Sequence, residues 1–202
     1  MENNYQYIDI KFKYSDENGV LFNLAEIKDQ KILIIFESLK VSKRIEELFE
    51  RPIKIKNSES LLKIHHYLFQ DVYIWAGKVR TVNISKNGKP FFDGERFDTA
   101  FSYVNTLITD YQKINKTDKK QIAEKLAEIL DNVNFLHPFR EGNGRTQREF
   151  LRLLALEKGF ELNLNPADNK NIYERYMKGA IESDVKILTE LIQELIQEKN
   201  GS

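Results

Sequence analysis

The string His137-Pro138-Phe139-Arg140-Glu141-Gly142-Asn143-Gly144-Arg145-Thr146-Gln147-Arg148 gathers the residue types in this 202-residue chain best suited to chemistry. An apolar helical stretch reaches Leu136. The His-Pro step stops it, because the residue before a proline is pushed out of the helical region towards an extended one. Two glycines flank Asn143, so the backbone can turn sharply there and expose several N–H groups. A new helix starts at about Gly144, and its amino terminus carries partial positive charge. Arg145 and Arg148, three apart, share a face of its first turn. Exposed N–H groups, a helix terminus and two guanidiniums make an anion site suited to a polyphosphate. Glu141 beside that loop suits an oxygen-seeking Mg²⁺ shared with the phosphates. His137 at the rim titrates near neutrality in its ordinary state and can take a proton from an attacking hydroxyl. These are the parts needed for phosphoryl or nucleotidyl transfer. A glycine-rich loop between two helices would explain a lone Gly-Asn-Gly, but not the whole string.

The elements that must position this loop are mostly helical. Residues 5 to 24 read as irregular or weakly extended, with Ile8, Ile10 and Phe12 alternating before the turn-like Ser15-Asp16-Glu17-Asn18-Gly19. From Ser38 the period becomes helical, with Val41, Ile45, Leu48 and Phe49 on one stripe until Pro52. Asn57 or Ser58 caps the next helix, whose apolar face runs from Leu61 to Trp75. Residues 77 to 92 change character: Val79, Val82 and Ile84 are β-branched, and Asn87-Gly88 is a strong hairpin turn. Helical spacing returns at Phe97, Phe101, Val104, Ile108 and Tyr111. Thr117 is expected to cap a long helix that leads into the motif. The helix after the motif stops at Gly159, and Asn165-Pro166 and Ser183-Asp184 open two more. The expectation is one domain over 1–202, mostly α with a small β-hairpin. Its core spans about 57–195, and 1–56 form an irregular segment and a helix.

Composition removes several function classes. Lysine plus arginine (31) equals aspartate plus glutamate (31), so the basic excess expected of a nucleic-acid or membrane-surface binder is missing. With no cysteine, thiolate nucleophiles, disulfides and cysteine-bound zinc are excluded. The longest purely apolar run, Ile32 to Phe36, is too short to span a bilayer. The opening residues lack a signal-peptide pattern, and the expected location is the cytoplasm.

The twelve-residue string resembles the Fic (filamentation induced by cAMP) family motif HPFx[D/E]GNGRxxR at every specified position. Leu68 to Lys86 resembles the helix and flap that precede the motif in many members, and Tyr14 with Val20-Leu21-Phe22-Asn23 is more weakly similar to the family's opening. The resemblance covers roughly 14–195. It implies the Fic fold and a protein adenylyltransferase that moves AMP from ATP to a Tyr, Thr or Ser hydroxyl of a target protein. In that frame His137 is the base, Phe139 anchors the loop, and Glu141 holds Mg²⁺. Gly142, Asn143 and Gly144 form the nest for the α- and β-phosphates, and Arg145 and Arg148 contact the β- and γ-phosphates. The flap segment Val82-Asn83-Ile84-Ser85-Lys86 would be an open edge that pairs with the target.

Other implied roles are less direct. Tyr173 and Tyr176 fall where the family often lines its adenine pocket, and core packing on their helix is the alternative reading. His65 and His66 point about 100° apart on a helix and cannot share a metal, so they read as packing or surface residues. Gly144 separates this chain from the phosphate-transferring death-on-curing type, which carries lysine there. Transfer of phosphate, UMP or phosphocholine stays open, as does a non-catalytic binding module. The intact His137, Glu141, Asn143, Arg145 and Arg148 weigh against the last. The family's inhibitory pattern [S/T]xxxE[G/N] is met only in part by Ser42 and Glu46, since Glu47 follows. The expectation is therefore no inhibitory helix in this chain, which leaves room for a separate small antitoxin protein.

Overall fold

The computed structural model describes residues 5–7, 13–86, 89–167 and 169–199. Asp29 starts the first helix by accepting from the N–H groups of Lys31 and Ile32, and α1 runs Gln30–Glu50. It begins well before Ser38, where the apolar period becomes readable. Ile32, Ile34, Ile35 and Leu39 are exposed, whereas the buried row is Leu33, Glu37, Val41 and Leu48, with a carboxylate in its midst. Of the expected stripe, Val41 and Leu48 are buried and Ile45 is half-buried, whereas Phe49 is exposed. The next helix, α2 (Glu59–Phe69), stops short of the expected Trp75. Val72, Tyr73, Trp75 and Ala76 stay buried beyond it in successive turns, so apolar content outlasts the helix.

The hairpin forms from β2 (Ile84–Lys86) and β3 (Lys89–Pro90), while its Asn87-Gly88 turn lies outside the described residues. A further strand, β1 (Tyr5–Tyr7), pairs antiparallel with β2, Tyr5 opposite Lys86 and Tyr7 opposite Ile84. The sheet order is β1-β2-β3. Ile8, Ile10 and Phe12, read as alternating, lie outside the described residues.

Asp93 caps a short 3-10 turn that feeds α3 (Phe97–Lys113). The helix leading to the motif, α4 (Lys119–Leu136), is capped by Asp118, whose carboxylate accepts from Gln121 N–H. Thr117, the expected cap, bonds Asn115 instead. After the motif come α5 (Asn143–Glu157), β4 (Phe160–Glu161), α6 (Lys170–Glu182), α7 (Val185–Leu195) and β5 (Gln197–Glu198), which pairs with β4. Gly159 ends α5 at φ +85°, as a left-handed cap requires. The α6 helix opens at Asn169, later than the Asn165-Pro166 signal.

The central helix is α4, packed against α3, α5, α6 and α7. Leu126, Ile129, Leu130 and Val133 are fully buried, each contributing about 1.5–3 kcal/mol of transfer free energy. That packing fixes the carboxyl end of α4 and the amino end of α5, the two points between which the motif is strung.

Candidate active site

His137 caps α4 at φ 43°, ψ 59°. The His-Pro step does end the helix, but the residue before proline adopts the left-handed region, not the extended one expected from sterics alone. Its N–H bonds Val133 O and closes the last turn of α4, as the N–H of the extended cap Ile196 does on Ile192 O at the end of α7. The imidazole is 5% exposed and stacked on Phe91, with ring centroids 3.9 Å apart. Its Nδ1 lies 3.2 Å from the Asn134 carbonyl oxygen. A carbonyl can only accept, so Nδ1 carries the proton and Nε2 keeps the basic lone pair.

The loop after Pro138 is closed from inside. Asn143 is buried, and its side-chain amide accepts from Phe139 N–H at 2.9 Å and donates to Phe139 O at 2.7 Å. This asparagine thus contributes only its backbone N–H to any anion nest. Gly142 sits at φ 83°, with its N–H on Glu141 Oε1 at 2.8 Å. The first helical bond of α5 is Thr146 N–H to Gly142 O. Among the described residues the N–H groups of Asn143, Gly144 and Arg145 donate to nothing, which leaves a row of donors at a positive helix end.

The two arginines are held largely from outside the motif. Arg145 Nη2 is 2.5 Å from Glu37 Oε1 on α1 and 3.4 Å from Glu141 Oε1. Glu37 Oε2 accepts from the buried Tyr73 hydroxyl. Burial opposes the Arg145 charge, but Glu37 and Glu141 outweigh it and raise its pKa. Arg148 lies against the rings of Tyr173 and Tyr176, 5.6 and 5.7 Å from their centroids. Tyr176 is a core residue and Tyr173 is half-buried, so both brace the second arginine.

Glu141 is half-buried, and only its Oε1 is bonded among the described residues. One available carboxylate oxygen beside a phosphate nest fits Mg²⁺, which usually takes one or two carboxylates and completes its shell with phosphates and water.

His65 does more than pack. It is fully buried between Phe69 and Phe139, its Nε2 donates to Glu141 O at 3.0 Å and its Nδ1 accepts from Gly77 N–H at 2.8 Å. One neutral imidazole therefore ties the motif loop to the root of the flap. Burial lowers its pKa to about 3. An unfolded chain protonates His65 below about 6.5 and the folded one only below about 3. Stability is then lost as pH falls through that window, by up to ~1.4 kcal/mol per pH unit. A His65→Gln variant is expected to melt lower at neutral pH and to show a shallower fall in Tm from pH 6.5 to 4. Parallel Tm-against-pH curves for the two chains would refute this role.

His137, Glu141, the Gly142–Gly144 turn, Arg145 and Arg148 follow one another from the end of α4 into the first turns of α5, and Phe91 at the end of the flap stacks on His137. Ile84 O accepts from Phe91 N–H, and the Phe91 ring covers His137. Val82 and Asn83 lead into β2, where Ser85 and Lys86 pair with β1. The β2 edge is therefore not open as expected, because β1 already lies along it. Glu37, Phe91, Arg80 and His65 are site residues that spacing did not reveal. The only signals were a carboxylate inside the apolar face of α1 and an arginine inside a β-branched run.

The sequence profile of the Fic/DOC family matches residues 55–155, a span that contains α2, the flap and the motif. The chain belongs to the Fic/DOC family. It is 35% identical over 161 residues to the protein adenylyltransferase VbhT of Bartonella schoenbuchensis. That match covers 79% of this chain and 34% of VbhT, so the chain spans about a third of that relative's length. It is 31% identical over 178 residues to the probable protein adenylyltransferase y4lH of Sinorhizobium fredii, covering 88% of this chain and 91% of y4lH. At family level this Fic chain is an adenylyltransferase by kinship. The crystal structure of BepC from Bartonella tribocorum with bound AMPPNP superposes with a TM-score of 0.81, covering 95% of this chain and all of that one. At 19% identity the likeness establishes the Fic fold.

Proposed function

We propose that this Fic chain transfers the AMP part of ATP to a Tyr, Thr or Ser hydroxyl of another protein, with His137 as general base. The observation that carries this is the His137 tautomer, Nε2 basic, beside three unbonded N–H groups and two arginines. The nest holds the α- and β-phosphates, and Arg145 and Arg148 take the β- and γ-phosphates. The target hydroxyl gives its proton to Nε2 as its oxygen forms a bond to the α-phosphorus. The bond from that phosphorus to the bridging β-oxygen breaks, and pyrophosphate leaves. Glu141 would hold Mg²⁺, which when bound offsets the negative charge of the phosphates. The test is α-labelled ATP with Mg²⁺ and bacterial lysate, followed by mass spectrometry of any labelled band. An adenylyl adduct supports the reading, and a phosphate, uridylyl or phosphocholine adduct replaces it.

The flap supplies the docking edge, with the target added as a strand. Because β1 pairs with β2, the target segment must displace three residues of the chain itself. Gln6→Pro removes a backbone donor and strains β1. With one ladder bond worth about 0.5–1.5 kcal/mol, labelling of lysate proteins should rise roughly 2–10-fold at unchanged AMPPNP affinity. Unchanged labelling would place the docking edge elsewhere.

A second reading concerns a small inhibitory partner of the antitoxin kind. A groove of about 720 Å³ runs from Arg145 and Arg148 past Val41, Ile45 and Phe49 of α1 to Leu164. Its apolar walls and cationic end suit an amphipathic helix that presents a carboxylate. Ser42 lines the groove, whereas Glu46 is exposed, which favours a partner in trans over inhibition by Glu46. The groove reading fails if a charge at Ile45 leaves inhibition by such a partner intact.

A further inference from the structure

Arg80 lies in the segment joining α2 to β2 and is 2% exposed. Its Nε donates to His137 O at 2.9 Å, its Nη1 to Val82 O at 2.8 Å and its Nη2 to Phe92 O at 2.5 Å. Its own backbone N–H donates to Pro138 O at 2.7 Å. One face of the guanidinium lies over Phe97, 5.0 Å from the ring centroid. Among the described residues it forms no ion pair, and the charge is met by carbonyl dipoles instead. Burial pulls its pKa down to about 10, with Asp93 opposing, so it stays charged at neutral pH.

The three carbonyls come from three places: the residue that bears the base, the chain entering the flap and the chain leaving it. His137 holds a left-handed backbone pose that L-residues seldom adopt. From that pose Nδ1 meets Asn134 O, the contact that leaves Nε2 basic. A planar fork can grip three carbonyls at fixed angles, and a lysine ammonium on a flexible stem cannot.

We propose that Arg80 is a positioning residue for the transfer reaction: it holds the His137 backbone in its left-handed pose and locks both flap strands to it, so that a docked hydroxyl meets Nε2. This rests on the adenylyl-transfer reading above. None of the Arg80 bonds reaches Asn143, Gly144 or Arg145, so its loss acts on the rate of transfer and not on nucleotide binding.

The test uses the full chain with Arg80→Lys, and with Arg80→Gln, which keeps one donor nitrogen without a buried charge, should the lysine variant not fold. Three measurements are made: label transfer from α-labelled ATP to lysate proteins, Mg-AMPPNP affinity by calorimetry, and the ¹⁵N spectrum of the His137 ring. The expected result is a fall in transfer of about 100-fold, the scale of a 1 Å misplacement. AMPPNP affinity should be unchanged, and the Nδ1-protonated tautomer should no longer dominate. Transfer within about threefold of wild type, loss of AMPPNP affinity in step with rate, or an unaltered ring spectrum each overturns the proposal. If the wild-type chain labels nothing, the transfer reading fails by itself, and the ring spectrum alone then decides the role of Arg80.

Discussion

Replacing His137 with alanine should lower adenylyl transfer by roughly 10²–10⁴-fold, the usual contribution of a positioned general base. Binding of Mg-AMPPNP should stay close to that of the wild-type chain. The two effects separate because the proposed phosphate site is built elsewhere. Its donors are backbone N–H groups at the start of α5, its cations are fixed by Glu37 and by Tyr173 with Tyr176, and its turn is closed by the Asn143 amide. None of these bonds uses the imidazole. The substitution also removes the Phe91 stack and the Asn134 bond, so a modest loss of stability accompanies it. Labelling from α-labelled ATP and calorimetry with Mg-AMPPNP check the two halves. Equal losses of transfer and binding would make His137 a shaper of the loop and not the base.

How much of this site could be read in advance depended on how far apart its partners lie along the chain. The motif was legible because twelve adjacent residues hold the candidate base, the turn, the candidate metal ligand and both arginines, and because helix ends and glycines obey local rules. The hairpin was legible for the same reason. Glu37 was not. It reaches Arg145 across 108 positions, and on α1 it sits within a row whose other buried members are apolar, so no period singles it out. The start of α1 was missed because its first turns expose Ile32, Ile34 and Ile35. A rule that places apolar residues inward cannot find a helix that shows them to solvent. The bridge that His65 makes from Gly77 to Glu141 depends on a turn and a loop that meet only in the folded chain. Asn143 shows a different limit. Its place in the motif suggested a ligand contact, and its side chain instead spends both halves of its amide on Phe139.

Gly142→Ala should be the most destabilising single-methyl change within the motif, because two independent costs fall on one atom. At φ 83° an alanine is in the left-handed region, a cost of about 1–2 kcal/mol. Its Cβ would also stand 2.2 Å from Phe69 Cζ. Phe69 has little room to retreat: it is fully buried, stacked on His65 at 4.6 Å, and covered by the Arg145 guanidinium at 4.9 Å. Overpacking of this kind costs about 1–3 kcal/mol, giving roughly 2–5 kcal/mol together. For a chain of this size that is a fall in Tm of about 5–15 °C. Any relaxation must move Phe69, and with it Arg145 or His65, so Mg-AMPPNP affinity should fall at least about tenfold, or ~1.4 kcal/mol. Gly144→Ala is the matched control. Its Cβ would meet only Arg148 Nη1, at 3.3 Å, the far end of a flexible side chain, so its Tm should barely move. Thermal melts of the two variants distinguish a turn that demands glycine from one that merely contains it. Equal melting points would mean that the Phe69 ring yields freely and that the loop is not clamped from beneath.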